Sequence, residues 1–374
     1  MARFSKYIKG KAVAFAALVL ALFMVTAPVR LSAHGGEQEQ EIVVKDIVLE
    51  HISDSYEWHI GKFGEHHVAI PLPVILYSQQ QGWKVFSSSH LHHGEVYEGF
   101  TIAQEGDYKG KIVELLPDGS SVKPFDISIT KTVAGLLINS TIVVLLILGA
   151  ASHYRRKNVD APAPKGLTSV VEMLVESLVN DIIKPCVGPN YRKFAPYLLT
   201  AFTFIFINNL MGLIPIFPAG SNVTGNIAAT LVLAVATFLV TNIYGSKHYW
   251  KDILWPEVPT WLKAPIPIMP AIEIIGLFTK PFALMIRLFA NIMAGHSVIL
   301  ILTCIVFVTV KMGAAVNASM TVVSVFLGIF MNCLELLVAF LQAYVFTMLS
   351  SVFIGMAQET GGHPEHKEHS GHEK

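Results

Sequence analysis

"KPFALMIRLFANIMAGH" runs from Lys280 to His296 and sets one arginine, Arg287, in the middle of an apolar run that continues on both sides. An arginine near the centre of a bilayer costs roughly 2.5–3.5 kcal/mol on insertion scales, so an intramembrane arginine is read first as functional. The run around it fills about 268–310, and a second fills about 316–358, joined by "KMGAAVNAS". Each is longer than a helix needs to cross a bilayer. These two runs predict an all-α polytopic membrane protein that ends in a long, tilted helical hairpin.

The bulk composition agrees. Of 374 residues, 53% are hydrophobic and 14% are charged, and the mean hydropathy is +0.53. Soluble domains carry about 25% charged residues. Lys plus Arg and Asp plus Glu both number 27, so no net charge points to nucleic acid. Cys186, Cys304 and Cys333 are scattered and lack C-x-x-C spacing, which argues against a disulfide framework or a zinc site and for buried apolar thiols.

Working outward from the hairpin, three further spans are expected at about 133–151, 194–216 and 223–244, making five. Between the first two lies "KGLTSVVEMLVESLVNDIIK", whose helical spacing of apolar residues predicts an amphipathic helix over 166–184 on the membrane surface. The basic run "HYRRK" and Lys247, Lys251 and Lys263 fall on one side of this map, which sets that side and the C-terminus in the cytoplasm. The membrane domain thus covers 132–358. Residues 359–374 form a His-rich, disordered cytoplasmic tail, solvated rather than metal-bound.

Residues 1–33 have the basic, apolar and small-residue layout of a signal peptide, although Leu31 spoils the small-residue pattern before Ala33. An uncleaved anchor is the alternative, and either places 34–131 outside the cytoplasm. That segment has short alternating runs, "EIVVKDIVLEHI", "HHVAIPLPVILYS" and "YKGKIVELLPDGSSVKPFDISIT", punctuated by Pro and Gly, with "PDGSS" as a turn. A small, mostly β extracytoplasmic module is expected. Its histidine clusters at 65–67 and 90–93 have no spacing that fixes a metal geometry and are expected in solvated loops.

The polar residues of the hairpin fall into a pattern. At 100° per residue, Glu273, Lys280, Arg287 and Asn291 lie within about 40° of one another, a polar stripe on an apolar helix. Glu335 and Gln342 share a face of the next helix, with Asn332 nearby. For an antiparallel pair turning near Ala315, residues whose numbers sum to about 630 stand level. Arg287 then faces Gln342, and His296 faces Glu335, at depths about 13 Å apart. His296 points about 180° away from Arg287 on an ideal helix, so either a bend unites them or they serve different cavities. Singly, Asn291, Asn332 and Gln342 read as interhelical glue, and Arg287 as a partner for Glu335 or Glu273. Together they favour an ion path.

"KPFALMIRLFANIMAGH" followed by "LELLVAFLQAYVFTMLSSVFIGMA" resembles subunit a of the bacterial rotary ATP synthase membrane sector, and "NNLMGLIPIFPAGSNVTGNIAATLVLA" resembles the family's preceding hairpin. The resemblance covers about 134–358. It implies that Arg287 is the family's essential arginine, with Asn291 one turn on and Gln342 near it, and that Glu273 serves the cytoplasmic half-channel. His296 and Glu335 occupy positions where many members carry Glu and His, so the two types are exchanged here. Level pairing explains why either order works. Gly212 stands where some members have an acid. The implied partners are the c-ring, stator subunit b, the remaining F1F0 subunits and lipid. The implied activity is ion translocation coupled to ATP synthesis in the cell inner membrane. No catalytic residues, cofactor or metal are expected.

A self-contained transporter or channel with a metal-capturing outer domain is the main rival, although the internal repeat usual in transporters is missing. A membrane-anchored receptor would leave Arg287 unexplained.

Overall fold

The computed structural model describes residues 54–63, 66–104, 106, 108–116, 120–156, 166–214, 220–255 and 268–359, all within the unit Val43–Lys374. The leader or anchor expected over 1–33, the run "EIVVKDIVLEHI", the "PDG" of the expected turn and the tail beyond Glu359 lie outside them.

The alternating runs before the first span form short strands. β1 (Glu57–Phe63) pairs antiparallel with β2 (His66–Pro71). β3 (Pro73–Ser78) lies between β4 (Gly82–Ser87) and β8 (Phe125–Asp126), while β6 (Ile112–Leu115) lies between β5 (Phe100–Ile102) and β7 (Ser121–Val122). Side chains alternate along a strand, and β3 accordingly buries Val74, Leu76 and Ser78 while Pro73 and Tyr77 face out. Val74 and Leu76 join Tyr56, Leu91, Phe100 and Ile112 in the module core. Leu91 reaches that core because "HLHH" is not a loop as expected: it lies within a 3-10 helix, Ser88–Gly94, that turns the leucine inward. His90 stays exposed and stacks on Tyr97, with ring centroids 4.4 Å apart. Tyr56 donates to Asp126 Oδ2 at 2.5 Å. Burial first, then this bond and the Asp126 charge, push its ionisation well above the ordinary phenol range.

The module is fastened directly to the first span, α1 (Lys131–Arg156). Asp54 Oδ1 accepts from Thr132 N at 3.0 Å, and Ser55 O accepts from Lys131 N at 2.8 Å. These satisfy donors that the first helical turn leaves open. The buried Trp58 sits beside Gly135, one turn further along.

The remaining helices are α2 (Leu167–Ser177), α3 (Tyr191–Leu213), α4 (Ile227–Ile243), α5 (Lys247–Leu254), α6 (Ile268–Val308) and α7 (Ala314–Gln358). Among the described residues, four helical stretches are long and apolar enough to cross a membrane. The number rises to five if α4 and α5, bent by 104°, count as one span. The expected helix over 166–184 is modified: α2 opens into a wide π turn, Leu178–Ile183, before Lys184–Val187. Pro185 cannot donate to the carbonyl one turn back and its ring crowds that turn, which the wider winding accommodates.

Bundle packing follows the helix period. α6 turns Leu284, Met285 and Leu288 inward against Ala201, Phe202 and Ile205 of α3, Ala234 of α4, and Ala343 and Phe346 of α7. The end of α7 meets the turn after α2 so closely that a Cβ on Gly355 would overlap the Cys186 carbonyl oxygen. Backbone cannot move aside as a side-chain tip can. Gly355→Ala is expected to destabilise the bundle by about 1–3 kcal/mol, seen as a lower melting midpoint of the detergent-purified protein. An unchanged midpoint would refute this close approach.

Candidate functional site

Packing of Leu284, Met285 and Leu288 into the core sends Arg287 the other way. Arg287 is exposed, together with Ala283, Ala290, Asn291 and Ala294 on the same side of α6. Among the described residues, no hydrogen bond, ion pair or ring contact engages its guanidinium. Neither Glu335 nor Glu273 is its partner, which removes the structural ion pair as an explanation. The small residues around it leave room for a neighbouring helix to approach closely.

Gln342, 5% exposed, accepts from Asn291 Nδ2 at 3.1 Å. Level pairing had set Gln342 opposite Arg287. The bond instead comes from one turn further on, because the short amide reaches across the helix interface while the long arginine side chain turns outward. Asn332 donates to Gly328 O of its own helix at 2.8 Å.

His296 Nδ1 stands 3.7 Å from Glu335 Oε1, with side-chain exposures of 22% and 5%. Antiparallel pairing puts these two level, and they meet. The half-turn between His296 and Arg287 is kept, so His296 points into the bundle, where its Nε2 is 3.8 Å from the place of a Cβ on Gly212. Gly212 thus leaves space beside the imidazole where a larger residue would crowd it. Gly295 does the same for Glu335, whose carboxylate lies where a Cβ would be. Both carboxylate oxygens are buried without a hydrogen bond among the described residues, an arrangement expensive for a merely structural group.

Beside this pair lies a set of buried polar side chains that the sequence reading did not single out. Asn139 of α1 donates to Asn208 Oδ1 at 3.0 Å, and Thr224 donates to Asn209 Oδ1 at 2.7 Å. Asn209 also donates to the Ala339 carbonyl at 3.2 Å. Ser221 is 1% exposed, and its Oγ has no partner among the described residues. The available signal was "INNL", two asparagines inside an apolar span.

Glu273 and Lys280 lie near the other end of α6. With His248 and Asp252 of α5 and Glu359 after α7, they line a cleft of about 420 Å³. His248 Nε2 stands 3.2 Å from Asp252 Oδ2. Beyond Tyr249 and Lys280 there is a smaller void of about 20 Å³, lined by Thr237, Thr241 and Leu284. Thr241 is buried there, and its hydroxyl lacks a partner among the described residues. The predicted polar stripe is therefore divided: Glu273 and Lys280 line a cleft, Arg287 faces outward and Asn291 bonds Gln342 of α7. Among the described residues no group of three His, Cys, Asp or Glu side chains is suited to a metal ion.

Two polar regions thus lie along α6, with a solitary cation between them. Carboxyl and imidazole groups at such distances can exchange protons; an arginine holds its charge.

Comparison with known proteins matches residues 136–355 to the family described as ATP synthase A chain. Residues 47–130 match a family described as a domain of unknown function. The chain is 42% identical over 289 residues to an ATP synthase subunit a of Chlorobium phaeobacteroides, covering 74% of this chain and 79% of that one. It is 45% identical over 258 residues to ATP synthase subunit a 2 of Chlorobaculum tepidum, covering 67% and 68%. A subunit a from Anaeromyxobacter is 33% identical over 353 residues, covering 90% of this chain and 76% of that one. With the family match spanning more than half the sequence and enclosing Glu273, Arg287, Asn291, His296, Glu335 and Gln342, the chain belongs to the ATP synthase A chain family.

Proposed function

We propose that this protein is the stator subunit a of a rotary ATP synthase in a bacterial inner membrane, where it forms two ion half-channels against the c-ring. Its partners are then that ring, stator subunit b, the remaining F1F0 subunits and lipid. Residues 1–33 would be a signal peptide or anchor, 34–131 an extracytoplasmic module, 132–358 the membrane domain and 359–374 a cytoplasmic tail.

The observation that carries this reading is the exposed Arg287 without a partner among the described residues, on a face of small side chains. A cation so placed in low dielectric is costly unless it meets a counter-charge, and a ring helix bearing a carboxyl would bring one. Near the guanidinium that carboxyl favours its charged form and releases its ion. The same charge repels a proton that would pass directly between the half-channels, so flow is forced through rotation. His296 and Glu335 would form the outer relay, with Gly212 and Ser221 beside it. Glu273 and its cleft would serve the cytoplasmic side, and Asn291 with Gln342 would hold the hairpin in register beside Arg287. The driving force is about 2.3 kcal/mol per charge per 100 mV. The chain itself makes and breaks no covalent bond and needs no cofactor for this work.

Gentle detergent purification tests the assignment. The protein is expected to co-isolate with a small, carboxyl-bearing ring subunit. A purified chain that transports ions with no ring present would instead support the self-contained transporter.

A further inference from the structure

We infer that His248, held by Asp252 at the mouth of the Glu273 cleft, is the proton-exchanging group between that cleft and the cytoplasm. This rests on the proposed half-channel reading and adds to it a residue outside the hairpin.

The geometry is specific. His248 and Asp252 are four apart on α5 and so share a face. The bend of 104° after α4 lays α5 across the bundle end, and that face closes one side of the cleft lined by Glu273 and Lys280. The 3.2 Å approach of His248 Nε2 to Asp252 Oδ2 orients the ring. Ser246 caps α5 by accepting from Tyr249 N at 3.0 Å, which fixes where the helix starts. The charges around His248 are Asp252, Lys247 and Lys251 on its own helix, Glu273 and Lys280 on α6, and Glu359 after α7.

A second cavity shares Tyr249, Leu277 and Lys280 with the cleft. Past Tyr249 and Lys280 the smaller void has room for about one water molecule, and the buried Thr241 hydroxyl is available to bind it. Leu284 lines its inner end, one helical turn before Arg287. Protons are scarce in neutral water, and a half-buried carboxyl inside a cleft gains and loses them more slowly than one in bulk solvent. An imidazole at the mouth speeds both directions: it takes a proton from bulk water, passes it to the Glu273 carboxylate and is left neutral for the next. In the direction of synthesis the proton moves the other way, from Glu273 through His248 to the cytoplasm.

The test uses inverted vesicles carrying the whole complex, with ATP-driven proton uptake measured with and without added imidazole. His248→Ala is expected to slow uptake roughly tenfold, the low end of acid–base effects because the mouth is open to water. Imidazole is expected to restore the rate while leaving the parent protein unchanged. Full-rate uptake by the variant, or a deficit that imidazole leaves untouched while the ring still co-purifies, would overturn the inference alone. Normal uptake by Arg287→Ala in the same assay would overturn the half-channel reading beneath it.

Discussion

Membranes carrying Arg287→Ala are expected to lose ion-coupled ATP synthesis by 10²-fold or more, roughly the size of effect seen when one preorganised electrostatic group is removed from a low-dielectric site. The side chain touches nothing that its removal would orphan among the described residues, and its neighbours Leu284, Met285 and Leu288 hold the helix in the core without it. The variant is therefore expected to insert and assemble normally. Arg287→Lys is expected to retain only a small part of the activity, since a desolvated ammonium can shed its proton and a guanidinium does not. Synthesis is measured in energised vesicles, with the amount of assembled complex as the control. Normal synthesis by the alanine variant would remove the basis for the proposed role.

The second large effect is expected at the outer pair. His296→Ala and Glu335→Ala should each lower proton flux on the order of 10²-fold, within the range for a proton-relaying group. Because the two stand 3.7 Å apart and would share one step of the proposed relay, the double variant should be little worse than either single one. Independent contributions would multiply to about 10⁴-fold instead. Exchanging the residues, His296→Glu with Glu335→His, keeps one acid and one imidazole at the same depth and should recover part of the flux. A multiplicative double variant would separate the two residues functionally.

Much of this arrangement was legible in the sequence because helices impose a fixed period. The apolar runs gave the long helices with ends within about five residues, and antiparallel pairing brought His296 and Glu335 together from their numbers alone. The alternating runs before Lys131 announced a strand-rich module. What escaped depends on contacts between elements far apart in the chain. The donor to Gln342 is Asn291, one turn beyond the residue that level pairing sets opposite it, a choice made by side-chain length and direction rather than by backbone depth. The wide turn at Leu178–Ile183 and the close approach of Gly355 to Cys186 have no periodic signature. His248 and Asp252 read as ordinary polar residues after a span, and only the sharp bend into α5 brings them beside Glu273. Asn208 and Asn209 were visible, but their partners on α1 and after α3 were not.

In the proposed assembly the face of α6 around Arg287 lies against the rotor. Ala290 is exposed on that face, whereas Val144 is exposed, at 53%, on α1, which packs against α3. Cys333 is exposed, not buried as its apolar setting suggested; in a background with it replaced, Ala290→Cys can be oxidised against a cysteine placed beside the ring carboxyl. A cross-link between the two chains that stops rotation is expected, and none from Val144→Cys. A ring that joins to Val144→Cys and never to Ala290→Cys would contradict it.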